Sequence, residues 1–183
     1  MKLKYENSLE DVVAFSRYHN AHSPAVMKAK FTCMILVSVL VIFGSLFIPT
    51  TDYISRPIII AGAIVFSGIF SVMFHYQFAG TTDRQVRRLY KEGNNKSIFG
   101  QHEIQIDNNG LSKRTAFNES RQSWQGVERI VETDRYVFIY VASLMAHVIP
   151  KQSVIEGDLD AFLVLAKQLW HENNPDAAGK QRR

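Results

Sequence analysis

The side chains whose types and spacing suit metal or acid–base chemistry form two small groups. His19 and His22 are one helical turn apart, but no cysteine or carboxylate nearby completes a metal ligand set. Glu156, Asp158 and Asp160 lie at the start of a predicted helix, where negative charge favours the helix amino terminus. We therefore predict that these carboxylates serve the helix, and we expect no metal site.

Motifs for catalysis are missing from the sequence. Its glycines are never spaced as a phosphate cradle before a helix, and no serine has the setting of an activated nucleophile. The one cysteine, Cys33, excludes an internal disulfide and lies in an apolar run, where it acts as a small apolar side chain. We expect no catalytic residue, no cofactor and no enzymatic activity.

Four basic side chains follow the second of two apolar runs, at Arg84, Arg87, Arg88 and Lys91. Their spacing predicts a short basic helix where the chain leaves a membrane. Such clusters attract anionic lipid by roughly 1 kcal/mol per basic residue, so we expect headgroup contact; the alternative is that these charges only fix the topology. The chain has 21 Lys and Arg against 17 Asp and Glu, and their positions favour a membrane over nucleic acid.

Two long uncharged stretches must position these groups. Phe31 to Thr51 has 21 residues without a charge, and Pro57 to Thr82 has 26. A helix of about 20 residues crosses the roughly 30 Å of bilayer hydrocarbon, so we predict a transmembrane hairpin over 31–79, with helices at about 31–49 and 57–77. The alternatives are a buried helical pair, which would keep periodic polar residues, and a cleaved signal peptide, which would show a cleavage pattern.

Lys and Arg are concentrated outside these stretches, and the loop between them holds only Arg56. Because cytoplasmic flanks carry the excess of basic residues, we expect a multi-pass protein of the cell inner (plasma) membrane with both termini in the cytoplasm. Its first partner is then the lipid bilayer. The flanking basic residues are Arg17, Lys28, Lys30, Arg84, Arg87, Arg88, Lys91 and Lys96.

Small side chains recur every fourth residue of the second stretch, at Ala63, Ser67 and Ser71. They form one helix face that another backbone can approach closely. The expected neighbour is the first helix of the hairpin. A second copy of the chain is the alternative, so a homo-oligomer stays open.

The remaining residues have the patterns of a small α+β domain. Residues 1–30 predict a strand and an amphipathic helix, 80–99 a basic connector helix, 100–173 a sheet with a closing helix, and 174–183 a disordered tail. The predicted fold class is an α+β membrane protein, in which a two-helix transmembrane hairpin carries a small antiparallel β-sheet capped by a C-terminal helix.

Alternating apolar residues predict two hairpins within this sheet. Asp107 to Gly110 is a turn sequence between the first two strands, and Tyr136–Val141 and Leu144–Ile149 form the second pair. Apolar residues from Leu159 to Trp170 are spaced as one face of an amphipathic helix. We expect the core to contain Trp124, Ile130, Pro150, Phe162 and Trp170.

The order of these features is itself informative. Two apolar helices precede Trp124, then Glu132 and Thr133, and then Val148 to Lys151 before a closing helix; Tyr5 to Ser8 opens the chain. In this order and in these residues, the chain resembles the YcxB-like family over most of its length. The resemblance implies a carboxy-terminal domain like bacterial pleckstrin-homology (PH) modules, in which a bent sheet or roll is capped by one helix. It implies no particular activity.

We therefore expect a noncatalytic, membrane-anchored binding module whose PH-like cytoplasmic domain recognises a protein or lipid partner, and no nucleic acid. One alternative is a membrane immunity protein that neutralises a toxin. Another is an oligomeric scaffold or channel.

Overall fold

A computed structural model describes residues 1–52, 54–92, 95 and 97–175. The chain forms two compact units: the sheet unit combines Met1–Phe15 with the chain from Arg87 onward, and the helical unit is Ser16–Val86. Residues 93, 94 and 96 of the predicted connector and residues 176–183 of the predicted tail lie outside the described residues.

The sheet unit contains two antiparallel sheets and a closing helix, as the α+β prediction expects. Its first sheet has the order β4-β3-β2-β1-β8 and its second the order β5-β6-β7. The elements are β1 (Lys2–Asn7), β2 (Gly100–Asp107), β3 (Gly110–Thr115), β4 (Glu119–Ser123), β5 (Arg129–Glu132), β6 (Tyr136–Ala142), β7 (Met145–Pro150), β8 (Val154–Glu156) and the C-terminal helix α4 (Leu159–Asn173).

Strand β1 belongs to the first sheet, although sequence analysis grouped residues 1–30 as a separate segment. It pairs with β2 over its whole length, from Lys2 opposite Gln105 to Asn7 opposite Gly100. Leu3 is fully buried on the inner face of this pair. The helical unit is therefore inserted between two neighbouring strands, a long-range pairing that no local pattern predicts.

The predicted hairpins are both present, and the first depends on its turn glycine. Asp107 Oδ1 accepts hydrogen bonds from the backbone N–H groups of Asn109 (2.8 Å) and Gly110 (3.2 Å). A Cβ atom at Gly110 would lie 2.0 Å from the backbone oxygen of Gln122, so no larger residue fits there. The second hairpin joins β6 and β7.

The core of the sheet unit lies between the two sheets and α4. Two tryptophan side chains fill it, and each donates its indole N–H to a backbone carbonyl at 2.8 Å: Trp124 to Asp107 and Trp170 to Val127. All five residues expected in the core are buried: Trp124, Ile130, Pro150, Phe162 and Trp170.

The carboxylates before α4 have separate structural partners. Asp158 is the N-cap, and its Oδ1 accepts the backbone N–H of Ala161 at 3.0 Å. Glu156 pairs instead with Lys4 across the β1–β8 edge at 2.5 Å.

Three further helices are α1 (Leu9–His22), α2 (Pro24–Ser45) and α3 (Arg56–Glu92). Helix α2 starts seven residues before the predicted span because Ser23 caps it and Pro24 suits the first helical turn. Helix α3 runs without a break into the predicted connector, since no proline interrupts it after Pro57. By length and composition, α2 and α3 could each cross a membrane.

The two ends of the helical unit show that α2 and α3 are antiparallel. At one end, Arg56 donates to the carbonyls of Leu46 (2.6 Å) and Ile48 (2.8 Å). At the other, Lys30 Nζ lies 3.1 Å from His75 Nδ1. The predicted small-residue face is partly covered: Ser67 is buried, and Ala63 and Ser71 are half-buried.

Trp124→Ala should lower the free energy of unfolding of the sheet unit by roughly 3–5 kcal/mol, because it leaves a large cavity and an unpaired Asp107 carbonyl. Trp124→Phe fills most of the space and should cost less. Urea unfolding of the full chain in detergent micelles, followed by the fluorescence of Trp170, measures both. Easy quenching of the native Trp124 indole by acrylamide would contradict the placement.

Candidate functional site

The inner face of the first sheet changes from apolar to polar along its strands. Turn geometry at 107–110 sets Lys113 opposite Ile104 and Thr115 opposite His102. Because alternate residues of a strand share a face, Lys113 and Thr115 point inward with Leu111. One end of this face is therefore apolar and the other carries a lysine, a histidine and hydroxyl groups.

A cavity of about 330 Å³ lies at the polar end. Lys113 and Ser120, which are register partners on β3 and β4, contribute to its polar wall. Asn7 and His147 of β1 and β7 also line it. The apolar lining comes from α1, α3, β6, β7 and the adjoining loops: Val12, Phe15, Tyr90, Ile98, Val141, Leu144, Met145, Ala146 and Val148.

The mouth of the cavity is apolar and exposed to solvent. Leu144 and Met145, at the β6–β7 turn, have 73% and 64% of their surface exposed. Phe117, in the neighbouring β3–β4 turn, is 67% exposed. Large apolar side chains at two loop tips are typical of a surface that another molecule covers.

Burial is the main cause of the lowered pKa values of three side chains in and beside this pocket. It lowers the pKa of Lys113 from 10.5 to about 8. Burial and, secondarily, the Lys113 charge lower the pKa of His147 and of His102 to about 4. At neutral pH the pocket lining therefore carries one ammonium group, on Lys113, and one neutral imidazole, on His147; the imidazole of His102 is neutral as well.

Among the described residues, no carboxylate lines the cavity. Within the same part of the chain, Lys113 forms no ion pair and no side-chain hydrogen bond. A half-buried ammonium without an acidic partner is unusual, because desolvation is normally offset by a nearby opposite charge. Four other lysines in the described part of the sheet unit each have a carboxylate within 3 Å: Lys2 with Glu103, Lys4 with Glu156, and Lys151 and Lys167 with Glu132.

Several buried polar atoms beside the pocket also lack a protein partner among the described residues. They include the Tyr5 hydroxyl and Asn7 Oδ1. Tyr5 and His102 meet edge to face, with ring centroids 5.5 Å apart. Asn7 Nδ2 donates to the Val148 carbonyl at 3.2 Å and so joins the two sheets. Unsatisfied buried groups are costly and tend to mark sites of function or bound water.

The residues predicted to contact lipid lie at the end of α3 and outside the pocket lining. Arg87 makes a bidentate pair with Glu10 of α1, with both oxygen distances at 2.5 Å. Arg88 pairs with Glu92 one turn later at 2.7 Å. Lys91 is exposed, as is Arg84. Arg87 and Arg88 therefore each have an acidic partner within the sheet unit.

Sequence reasoning missed the pocket residues. Lys113 could have been found, because the Asp107–Gly110 turn fixes the hairpin register and places it opposite Ile104. Asn7 and His147 depend on pairing between distant segments, for which the sequence carries no local signal. Among the described residues, no group of three or more His, Cys, Asp or Glu side chains is arranged to hold a metal ion.

Comparison with known proteins finds a family match over part of the chain. Residues 106–165, from β2 into α4, match the model of the family described as YcxB-like protein. A YcxB-like domain is therefore present, and it includes Lys113 and His147 of the pocket. No curated protein and no solved structure matches the chain.

Acidification should destabilise the sheet unit through His102 and His147. Their pKa is about 4 in the folded chain and 6.5 in the unfolded chain, so the unfolded chain binds more protons between these values. The free energy of unfolding should fall by about 2 kcal/mol per histidine as the pH drops from 7.5 to 5. Glu132, whose pKa is lowered to about 2 by its bonds to Lys151 and Lys167, loses its stabilising contribution only below this range.

Urea unfolding of the full chain in micelles at pH 7.5 and 5 measures this loss, because both tryptophans report on the sheet unit. His102→Gln and His147→Gln should each remove about half of the pH dependence. Equal stability at the two pH values would show that the two imidazoles are not buried in their neutral form.

Proposed function

We propose that this protein is a noncatalytic binding module fixed to a membrane by α2 and α3, with the sheet unit as its ligand-binding, PH-like domain. The observation that carries the proposal is the exposure of apolar side chains along both helices. Phe31 and Leu40 of α2 are 59% and 67% exposed, and Ile58 and Phe66 of α3 are 59% and 57% exposed. Surfaces of this kind need a lipid or protein environment.

Burial argues against the soluble-core alternative. A core helix is covered by its own protein, yet the most apolar 18-residue stretch is 0% buried in α2 and 11% buried in α3. Helix α2 has 22 residues, which corresponds to about 33 Å and matches the hydrocarbon thickness of a bilayer. The single buried serine of α3, Ser67, lies on its small-residue face, as expected for a helix packed against a neighbour in lipid.

Pairing of β1 with β2 supports a hairpin topology independently of charge. Asn7 and Gly100 are register partners, so the segment between them starts and ends at the same place in the sheet unit. Such a segment must cross a bilayer an even number of times. Two crossings satisfy this condition, and the positions of Lys and Arg favour the cytoplasm for both termini.

The strand order supports a PH-like roll. Strands β1 to β4 are neighbours in sequence order in the first sheet, β5 to β7 are neighbours in the second, and α4 closes the core. An open pocket with an unpaired ammonium supports binding as the role of this domain. We propose a lipid or protein partner for it, and no role in nucleic-acid binding.

Membrane fractionation tests the anchor. The full chain should stay in the pellet after a carbonate wash at pH 11, and recovery in the aqueous supernatant without detergent would refute the proposal. In a Cys33→Ser background, Thr51→Cys in the α2–α3 loop should react with an impermeant maleimide added to intact cells. Arg121→Cys in β4 should react only after the cells are opened, and the reverse pattern would refute the orientation.

Neutralising the end of α3 tests the predicted lipid contacts. Arg88→Gln with Lys91→Gln should reduce the phosphatidylglycerol retained by the purified full chain, by up to about fivefold per charge, because each charge contributes roughly 1 kcal/mol. The matched control is Arg114→Gln with Arg121→Gln on the outer face of β3 and β4. Native mass spectrometry counts the retained lipids, and equal counts for both variants would leave the α3 charges as topological signals only.

A further inference from the structure

The two kinds of lining in the sheet-unit pocket face a common space. Lys113 and Ser120 lie on the first sheet, where their Cα atoms are register partners. Val12 and Phe15 of α1 line the same cavity from another element. With about 330 Å³, the cavity is at the lower end of the range for small-molecule sites. The volume and the lining of the cavity therefore suit a small ligand with one polar and one apolar end.

The charge of the lining selects the polar end of that ligand. Lys113 is the one Lys, Arg, Asp or Glu side chain among the described lining residues. The titratable groups around it are His147 of β7 and Tyr90 of α3 in the lining, and His102 of β2 behind it. The Lys113 ammonium would repel a cation, and a neutral ligand would leave its charge uncompensated. An anion would compensate that charge.

We propose that this pocket binds a small anionic amphiphile, with its phosphate or carboxylate on Lys113 and Ser120 and its apolar group against α1 and the β6–β7 turn. This inference rests on the proposed binding function and names the class of ligand. Exposed Leu144 and Met145 at the mouth extend the apolar wall outward. The same chemistry is offered by a free metabolite and by the headgroup region of an anionic lipid.

The direct test measures binding to the full chain in nanodiscs of neutral phosphatidylcholine. Isothermal titration with monohexyl phosphate should show one saturable site per chain, with weaker binding of inorganic phosphate and none of hexyltrimethylammonium. Lys113→Gln should weaken hexyl phosphate binding at least about tenfold, as loss of a charge-assisted contact does. Arg114→Gln, the next residue along β3 but outside the pocket lining, is the matched control and should bind normally.

Three further arms separate a binding role from a structural one. Lys113→Arg should retain most of the affinity. Ser120→Asp, at an exposed position, should weaken binding by placing a negative charge opposite Lys113. Affinity should also fall about tenfold between pH 7 and pH 9, because the pKa of Lys113 is about 8 and phosphate monoesters are already doubly ionised in this range. A lysine with the usual pKa of 10.5 would stay charged over this range, and the affinity would not fall.

The source of the ligand follows from a competition experiment. If the pocket binds a bilayer lipid, nanodiscs with one-fifth phosphatidylglycerol should lower the apparent affinity for hexyl phosphate, because the lipid competes for the site. If the pocket binds a soluble compound, the affinity should stay the same. Both results support the site. Absence of saturable binding, or equal binding by the wild-type chain and Lys113→Gln, would overturn it. If the chain fails this test but stays in the membrane pellet, the proposed ligand class is refuted and the proposed membrane anchor is not.

Discussion

Pairing between β1 and β2 is the interaction on which the rest of the architecture depends. It joins residues that are nearly a hundred positions apart in the chain, and it supplies the strand that separates β2 from β8. Closing a flexible loop of this length would cost about 4 kcal/mol in chain entropy alone. The intervening chain is helical for most of its length, and antiparallel α2 and α3 already return it towards its start, so much of that entropy is lost when the helices form.

Local features of this fold could be predicted from sequence, and long-range ones could not. Asp107 to Gly110 predicts a hairpin because turn residues and flanking alternation lie within a few positions, and Asp158 marks the start of α4 for the same reason. The partner of β1 depends on a fit between Leu3 and Tyr5 on one strand and Ile104 and His102 on the other. No window of neighbouring residues contains that information.

The pocket was hidden from sequence reasoning for a related reason. Asn7, Lys113 and His147 lie on three strands of two sheets, and each is unremarkable in its own segment. Lys113 in particular follows a polar serine and precedes an arginine, so it reads as part of a solvated strand. Only the register of the hairpin distinguishes the inward lysine from its outward neighbour Arg114. The basic cluster of Arg84, Arg87, Arg88 and Lys91 is easier to recognise because its residues lie close together in one helix, although contact with lipid stays a prediction.

The inner face of the first sheet separates the apolar contacts that stabilise the domain from a group of buried polar side chains. Leu111, Ile104 and Ile106 close one end of the inner face with apolar contacts, together with the two tryptophans. Tyr5, His102 and Lys113 occupy the other end and bring desolvated polar groups that weaken the packing there. Local conflicts of this kind concentrate at functional sites in natural proteins, and here Tyr5, His102 and Lys113 lie together on neighbouring strands of the first sheet.

Insertion of the helical unit between β1 and β2 also sets the order of events during translation. At about 5–20 residues per second, roughly 5–20 s separate the emergence of β1 from that of its partner. During this interval the ribosome synthesises α2 and α3, so both helices are complete before the first sheet can close. Strand β1 therefore stays unpaired until β2 emerges, and the first sheet closes only after the helical unit has been synthesised.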